Sequence, residues 1–180
     1  QHSGMKKLKI NQKKGVLFWI TGLSGSGKTT LAGKIQKSLE IKYGPFLNIS
    51  GDDLRVAFNY SKFDKKTRYK YAHTYSKFCK ILTDKNINVI FSTVSMFHKV
   101  RAWNKNNIKN YFEIYIKTEI GRLIKLKKKT FYKRKNKNIV GKDIKAELPI
   151  NSDVVIENNF NKTINSLKKE LIYKIKNKIR

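Results

Sequence analysis

The chain has 180 residues and one cysteine, and its 41 Lys and Arg against 12 Asp and Glu give a net charge of +29. That length builds about one domain, which excludes a bare tail or peptide. No apolar run approaches the roughly 18 residues a membrane helix needs, so a cytoplasmic protein with no membrane partner is expected.

The charge draws polyanions of any kind, and heavy use of Lys, Asn and Ile throughout is an equally good account of it. No nucleic-acid-binding module interleaves aromatics with the charge, so nucleic acid is not the expected partner. A homodimer is left open.

Gln1-His2-Ser3-Gly4 ahead of Met5 reads as an expression remnant, with residues 5–180 as the single domain. The first strong pattern is the apolar run Val16–Ile20, a strand buried on both faces. It runs into Gly22-Leu23-Ser24-Gly25-Ser26-Gly27-Lys28-Thr29-Thr30, which fits G-x-x-x-x-G-K-[ST]. Glycines 22, 25 and 27 are expected to take positive φ and turn backbone N–H groups inward as an anion nest. The helix that follows, expected over 28–42, points its N-terminus at the same place. Lys28 is placed to reach β- and γ-phosphates, and the Thr29 hydroxyl to ligate the Mg²⁺ that accompanies them. Gly33 inside this helix costs about 1 kcal/mol relative to Ala, and Gly44-Pro45 ends it.

Further strands are expected over Phe46–Ile49, Val89–Phe91, Tyr111–Ile116 and Val154–Ile156, with helices near 53–59, 65–85, 98–108, 119–129 and 161–179. Strands and helices therefore alternate, which implies an α/β fold: a three-layer α/β/α sandwich on a five-stranded parallel sheet. Within the helical pattern Tyr75, Phe78, Cys79 and Leu82, the lone Cys79 is expected to be a packed thiol.

The loops at the carboxyl edge of such a sheet carry the chemistry. After the second strand comes Ser50-Gly51-Asp52-Asp53-Leu54-Arg55. One of its carboxylates is suited to capping the next helix, while the other faces a substrate as base or metal organiser. Arg55 is placed to clamp an anion. After the third strand come Ser95 and Phe97, with His98 and Arg101 on the opening turns of a helix. Asp53, Ser95, Phe97 and Arg101 are expected to bind substrate, and His98 to lie at the surface. Neither His98 nor His73 has the neighbours of a zinc site. Between Arg122 and Lys142 there are ten lysines and arginines and no acid. Such a run reads either as a lid neutralised by a bound triphosphate or as a solvated basic helix, with Phe131-Tyr132 as aromatic surface.

Taken together, FWITGLSGSGKTT, SGDDLR, STVSMF, KKTFYKR and VGKD resemble the adenylylsulfate kinase family over about residues 16–150. The resemblance implies a P-loop NTPase, nucleotide kinase-like fold. It also implies transfer of a phosphoryl group from ATP to the 3′-hydroxyl of a nucleotide whose 5′ end carries a diphosphate-like group. Residues Gly22 to Thr30 would bind ATP. Asp52 matches the family's base or Mg²⁺-associated Asp, Arg55 and Arg68 its acceptor-anion arginines, and Ser95 its acceptor-loop serine. Lys129, Tyr132 and Lys133 match its lid.

The departures fall on the acceptor side. The family's Asp-Gly-Asp-Asn reads Ser50-Gly51-Asp52-Asp53 here. Asn and an Arg pair after the acceptor arginine are replaced within Tyr71-Ala72-His73-Thr74, and an aromatic beside the lid's Thr-Gly is replaced around Ile139-Val140-Gly141. That combination resembles the divergent branch acting on cytidine diphosphoramidate in capsule biosynthesis. Ordinary adenylylsulfate phosphorylation and a basic nucleic-acid-binding ATPase are the rival readings. A G protein is excluded, because Asn104-Lys105-Asn106-Asn107 lacks the carboxylate that pairs with guanine.

Overall fold

The computed structural model describes residues 7–126 and 138–179. Five strands form one parallel sheet: β1 (Val16–Gly22), β2 (Phe46–Ser50), β3 (Asn88–Thr93), β4 (Asn110–Lys117) and β5 (Val154–Glu157), in the order β2-β3-β1-β4-β5. The helices are α1 (Lys28–Tyr43), α2 (Gly51–Ala57), α3 (Lys65–Asp84), α4 (His98–Asn107), α5 (Ile120–Lys125) and α6 (Ile164–Lys178).

The central strand is buried at all seven positions, as its unbroken apolar sequence requires. Its residues point alternately to two cores. Phe18 and Ile20 join Leu31 and Ile35 of α1 and Leu167, Leu171 and Ile175 of α6. Leu17 and Trp19 join Tyr75 and Cys79 of α3 and Val100 of α4. Helices therefore cover both faces, which is the expected three-layer sandwich. Cys79 is fully buried, and burial pushes its thiol up. It is a core residue, as its spacing implied.

The outer strands are less buried than the central one. In β2 only Phe46 is buried, and β5 alternates buried and exposed residues. Both are edges of the sheet, each with one neighbouring strand. Helix ends follow local chemistry. Gly44 closes α1 at φ 83°, its N–H donating to the Glu40 carbonyl. Helix α2 begins at Gly51, two residues before the sequence pattern suggests, because Ser50 caps it. Described helix α5 ends at Lys125, so the remainder of the expected helix and most of the basic run lie outside the described residues. A third cluster, Leu23, Met96, Tyr115, Leu123 and Ile139, ties α5 and the segment that follows the run to the carboxyl edge of the sheet. Among the described residues, no helix is long and apolar enough to cross a membrane.

Candidate active site

The loops leaving β1, β2 and β3 border one cavity of about 300 Å³. Ser24, Gly25, Gly27, Lys28, Thr29 and Thr30 form one wall, and Asp52, Arg55, Arg68, Ser95 and Phe97 another. Residues from five separate chain segments are thereby brought together around a single space.

The phosphate-type loop is built by glycines with different tasks. Gly25 (φ 85°) and Gly27 (φ 95°) are left-handed, a conformation other residues enter at a cost. Gly22 is not, which corrects the expectation for all three. A Cβ at Gly22 would lie 2.6 Å from the Ile116 carbonyl oxygen and 2.7 Å from Ser26 Oγ, so this glycine permits close approach to β4. Lys28 is 9% exposed, and its ammonium donates to the Leu23 carbonyl at 2.7 Å, which draws it over the loop. Ser26 is buried and does not line the cavity. What it offers the loop is backbone.

The pair Asp52 and Asp53 divides as the sequence left open. Asp53 Oδ2 accepts both the Ser50 N–H and the Ser50 hydroxyl at 2.8 Å, and Ser50 Oγ accepts the Asp53 N–H at 3.2 Å. That is a capping box, which occupies the Asp53 carboxylate. Asp53 does not line the cavity, so the expectation that it binds substrate is corrected; Asp52 does line it.

Arg55 and Arg68 converge on one ring. Their guanidinium carbons lie 3.9 and 5.2 Å from the Phe63 centroid. Arg55 Nη2 donates to the Tyr60 carbonyl at 3.3 Å, and Arg68 donates to the Phe63 and Asn138 carbonyls at 2.6 and 3.0 Å. Burial, and then the neighbouring Arg55 cation, hold Arg68 below the usual guanidinium value. Two cations kept this close in a cleft make a site for an anion.

Ser95 sits at φ 24° with its hydroxyl 2.8 Å from Thr93 Oγ1, and Phe97 meets Tyr69 edge-on at 5.4 Å. Arg101 does not reach the cavity. It is 6% exposed beneath α4, with Nη2 donating to the Glu147 carbonyl and lying 2.8 Å from His98 Nδ1. Glu147 is further tied by its own N–H to the Met96 carbonyl at 3.1 Å, and its Oε2 accepts the His98 N–H at 2.6 Å. The expectation that Arg101 contacts substrate is therefore corrected to a brace between α4 and the segment before β5. His98 is exposed, as expected. Lys129, with Tyr132 and Lys133, lies outside the described residues.

Two residues at or beside the cavity were given no role there by the sequence. Tyr71 lines the acceptor side, its ring stacked on Tyr60 at 3.8 Å and 5°. Asn158, directly after β5, donates to the Ser26 carbonyl at 2.9 Å, and a Cβ at Gly27 would stand 3.1 Å from its Nδ2. Its position at the carboxyl end of a buried-type strand was the available signal.

Among the described residues, no group of three or more His, Cys, Asp or Glu could enclose a metal ion. The cavity instead offers the Thr29 hydroxyl and the Asp52 carboxylate, a sparse set of hard oxygen donors. That set suits Mg²⁺, which keeps waters and shares its remaining ligands with phosphates.

The adenylylsulphate kinase family model matches residues 14–157. A cytidine diphosphoramidate kinase of Campylobacter jejuni is 38% identical over 162 residues, covering 88% of this chain and 94% of its own. An adenylyl-sulfate kinase of Clostridium acetobutylicum is 32% identical over 156 residues, covering 83% and 78%. In fold, the structure of a Mycobacterium tuberculosis APS kinase in complex with AMPPNP and APS matches with a TM-score of 0.78 at 23% identity, over 91% of this chain and 98% of that one. With a phosphate-type loop, a facing carboxylate and a match of this extent, the chain belongs to the adenylylsulfate kinase family of P-loop phosphotransferases.

Proposed function

We propose that the protein transfers the γ-phosphoryl group of ATP to the 3′-hydroxyl of a cytidine nucleotide with a 5′ diphosphate-like group, most specifically cytidine diphosphoramidate in capsule biosynthesis. The observation that carries the reaction is the shared cavity: the nest and Lys28 on one wall face Asp52, Arg55 and Arg68 on the other. An ATP held by residues 22–30 and an acceptor anion held by the two arginines then meet across Asp52.

Each residue has a definable task. Backbone N–H groups of the loop and the Lys28 ammonium hold the β- and γ-phosphates and stabilise charge on the phosphoryl group in flight. Asp52 takes the proton of the attacking hydroxyl or fixes the metal. Thr29 and Asp52 would hold Mg²⁺, which neutralises phosphate charge when bound. Arg55 and Arg68 orient the acceptor by its 5′ anion, so that the 3′ end faces the γ-phosphate.

Support for cytidine comes from the acceptor side. Tyr71 opens the stretch Tyr71-Ala72-His73-Thr74 that replaces the family's adenosine-side Asn and Arg pair, and its ring, stacked on Tyr60, lines the cavity. The 38% identity to a cytidine diphosphoramidate kinase agrees with that reading. The test is turnover of Mg·ATP with small nucleotides and, separately, with RNA and DNA, locating the new phosphate by ³¹P NMR. Phosphate on the 3′ oxygen of a cytidine nucleotide is expected. Stimulation by polymer with no small-nucleotide product would overturn the proposal.

A further inference from the structure

Of the buried side chains whose polar atoms lack a partner among the described residues, only Tyr75 and Ser92 line the cavity. They are 4% and 3% exposed. A buried hydroxyl without a partner is costly, and Phe and Ala would fill nearly the same space without that cost. Neither hydroxyl therefore serves the packing of the core.

The Tyr75 ring reaches the cavity from α3. It lies 5.7 Å from Phe91 and 6.3 Å from Tyr60, and its Cε2 is 3.5 Å from where a Cβ of Gly51 would stand. Gly51 opens α2, the helix that carries Asp52 and Arg55. Burial pushes the Tyr75 phenol up to about 12, with Arg55 the largest opposing influence and Asp52 also acting on it. The phenol therefore stays protonated at any pH where a kinase works. It is a neutral O–H donor in the field of Arg55, and Arg55 in turn shares its ring with Arg68. Donors gathered around a pair of cations complement an oxyanion rather than an amine or an apolar base.

We infer that Tyr75 is a positioning residue for the acceptor, donating its hydroxyl to the 5′ oxyanion that Arg55 and Arg68 hold, with Ser92 as a second unpartnered hydroxyl lining the same cavity. The inference rests on the reading above that the acceptor is a nucleotide bearing a 5′ anion. It adds a residue to that site and a reason for its discrimination between 5′ groups.

Tyr75→Phe keeps the ring and removes the hydroxyl; Ser92→Ala makes the same contrast in case the first variant fails to fold. With saturating Mg·ATP, KM and kcat are measured for cytidine 5′-diphosphate and for cytidine, and binding of cytidine 5′-diphosphate is followed by calorimetry. Loss of one hydrogen bond to a charged group predicts a roughly 10-fold or larger rise in KM and Kd for the diphosphate. The same variant should keep kcat within about twofold, leave KM for ATP unchanged, and leave kcat/KM for cytidine unchanged. An unaltered KM and Kd for the diphosphate would overturn the inference, as would an equal loss with both acceptors, which would put the hydroxyl on the ribose, the base or the fold. The two failures are distinguishable. An active wild type with an unchanged variant defeats the inference alone, whereas a wild type that neither binds nor phosphorylates cytidine nucleotides defeats the reading beneath it as well.

Discussion

The side-chain amide of Asn158 donates to the main-chain carbonyl of Ser26 at 2.9 Å, joining the loop after β5 to the phosphate-type loop 132 residues earlier. Asn158 is itself held on other sides. Its N–H donates to the Lys117 carbonyl at 2.9 Å, its carbonyl accepts the Thr118 hydroxyl at 2.9 Å, and its Oδ1 accepts the Phe160 N–H at 3.2 Å. The phosphate-type loop is thus fixed from the far edge of the sheet. Asn158→Ala should lower stability by about 1–3 kcal/mol, because it strips a buried hydrogen-bond partner, and should raise KM for ATP more than KM for the acceptor. Urea unfolding and steady-state kinetics check both; an unchanged KM for ATP would show that the loop holds its shape without this tie.

Lys28 is held over the loop by the Leu23 carbonyl. In the proposed reaction its charge acts most on the phosphoryl group as negative charge develops, so Lys28→Ala should lower kcat by roughly 10²–10³. A variant with unaltered kcat/KM would place the chemistry elsewhere.

The capping box separates two adjacent carboxylates. Asp52→Asn should abolish most turnover while leaving the melting temperature near that of the parent. Asp53→Ala should do the reverse, costing roughly 0.3–1.5 kcal/mol of stability through the lost cap and retaining kcat. Reversed outcomes in the two variants would mean that the cap and the catalytic carboxylate have been exchanged.

Gly33 lies exposed on α1, and a Cβ built there meets nothing within 4 Å. Its backbone is ordinary helix, so Ala removes conformational freedom from the unfolded chain without strain. Gly33→Ala should therefore raise stability by about 0.4–1 kcal/mol in denaturant titration, with kinetics unchanged.

Features written in contiguous residues were legible before the fold was known. The strand entering Gly22-Leu23-Ser24-Gly25-Ser26-Gly27-Lys28-Thr29 has local periodicity and local chemistry, and the fully buried β1 followed by α1 is what those residues dictate. The five strands and their helices were legible for the same reason. What stayed hidden depends on partners distant in sequence. Whether Asp52 or Asp53 faces the cavity is decided by Ser50, whose side chain claims Asp53 once α2 starts at Gly51. Arg101 resembles an anion ligand at a helix start, yet it turns under α4 to the Glu147 carbonyl, a contact across 46 residues. Tyr75 reads as one more core position of an amphipathic helix, and its place in the cavity lining, with Gly51 approaching its ring, shows that it borders the site. The exposure of β2 and β5 follows from strand order, which periodicity does not encode.

The central claim is that this family site has been refitted for a cytidine acceptor. Its most direct test is kcat/KM for cytidine 5′-diphosphoramidate and for adenylylsulfate, measured side by side with the same Mg·ATP. A site whose hydrogen-bonding groups face cytosine leaves them unpaired with adenine, which can discriminate by about 10⁴. The account predicts a strong preference for the cytidine acceptor, with the new phosphate on its 3′ oxygen; equal or better use of adenylylsulfate would contradict it.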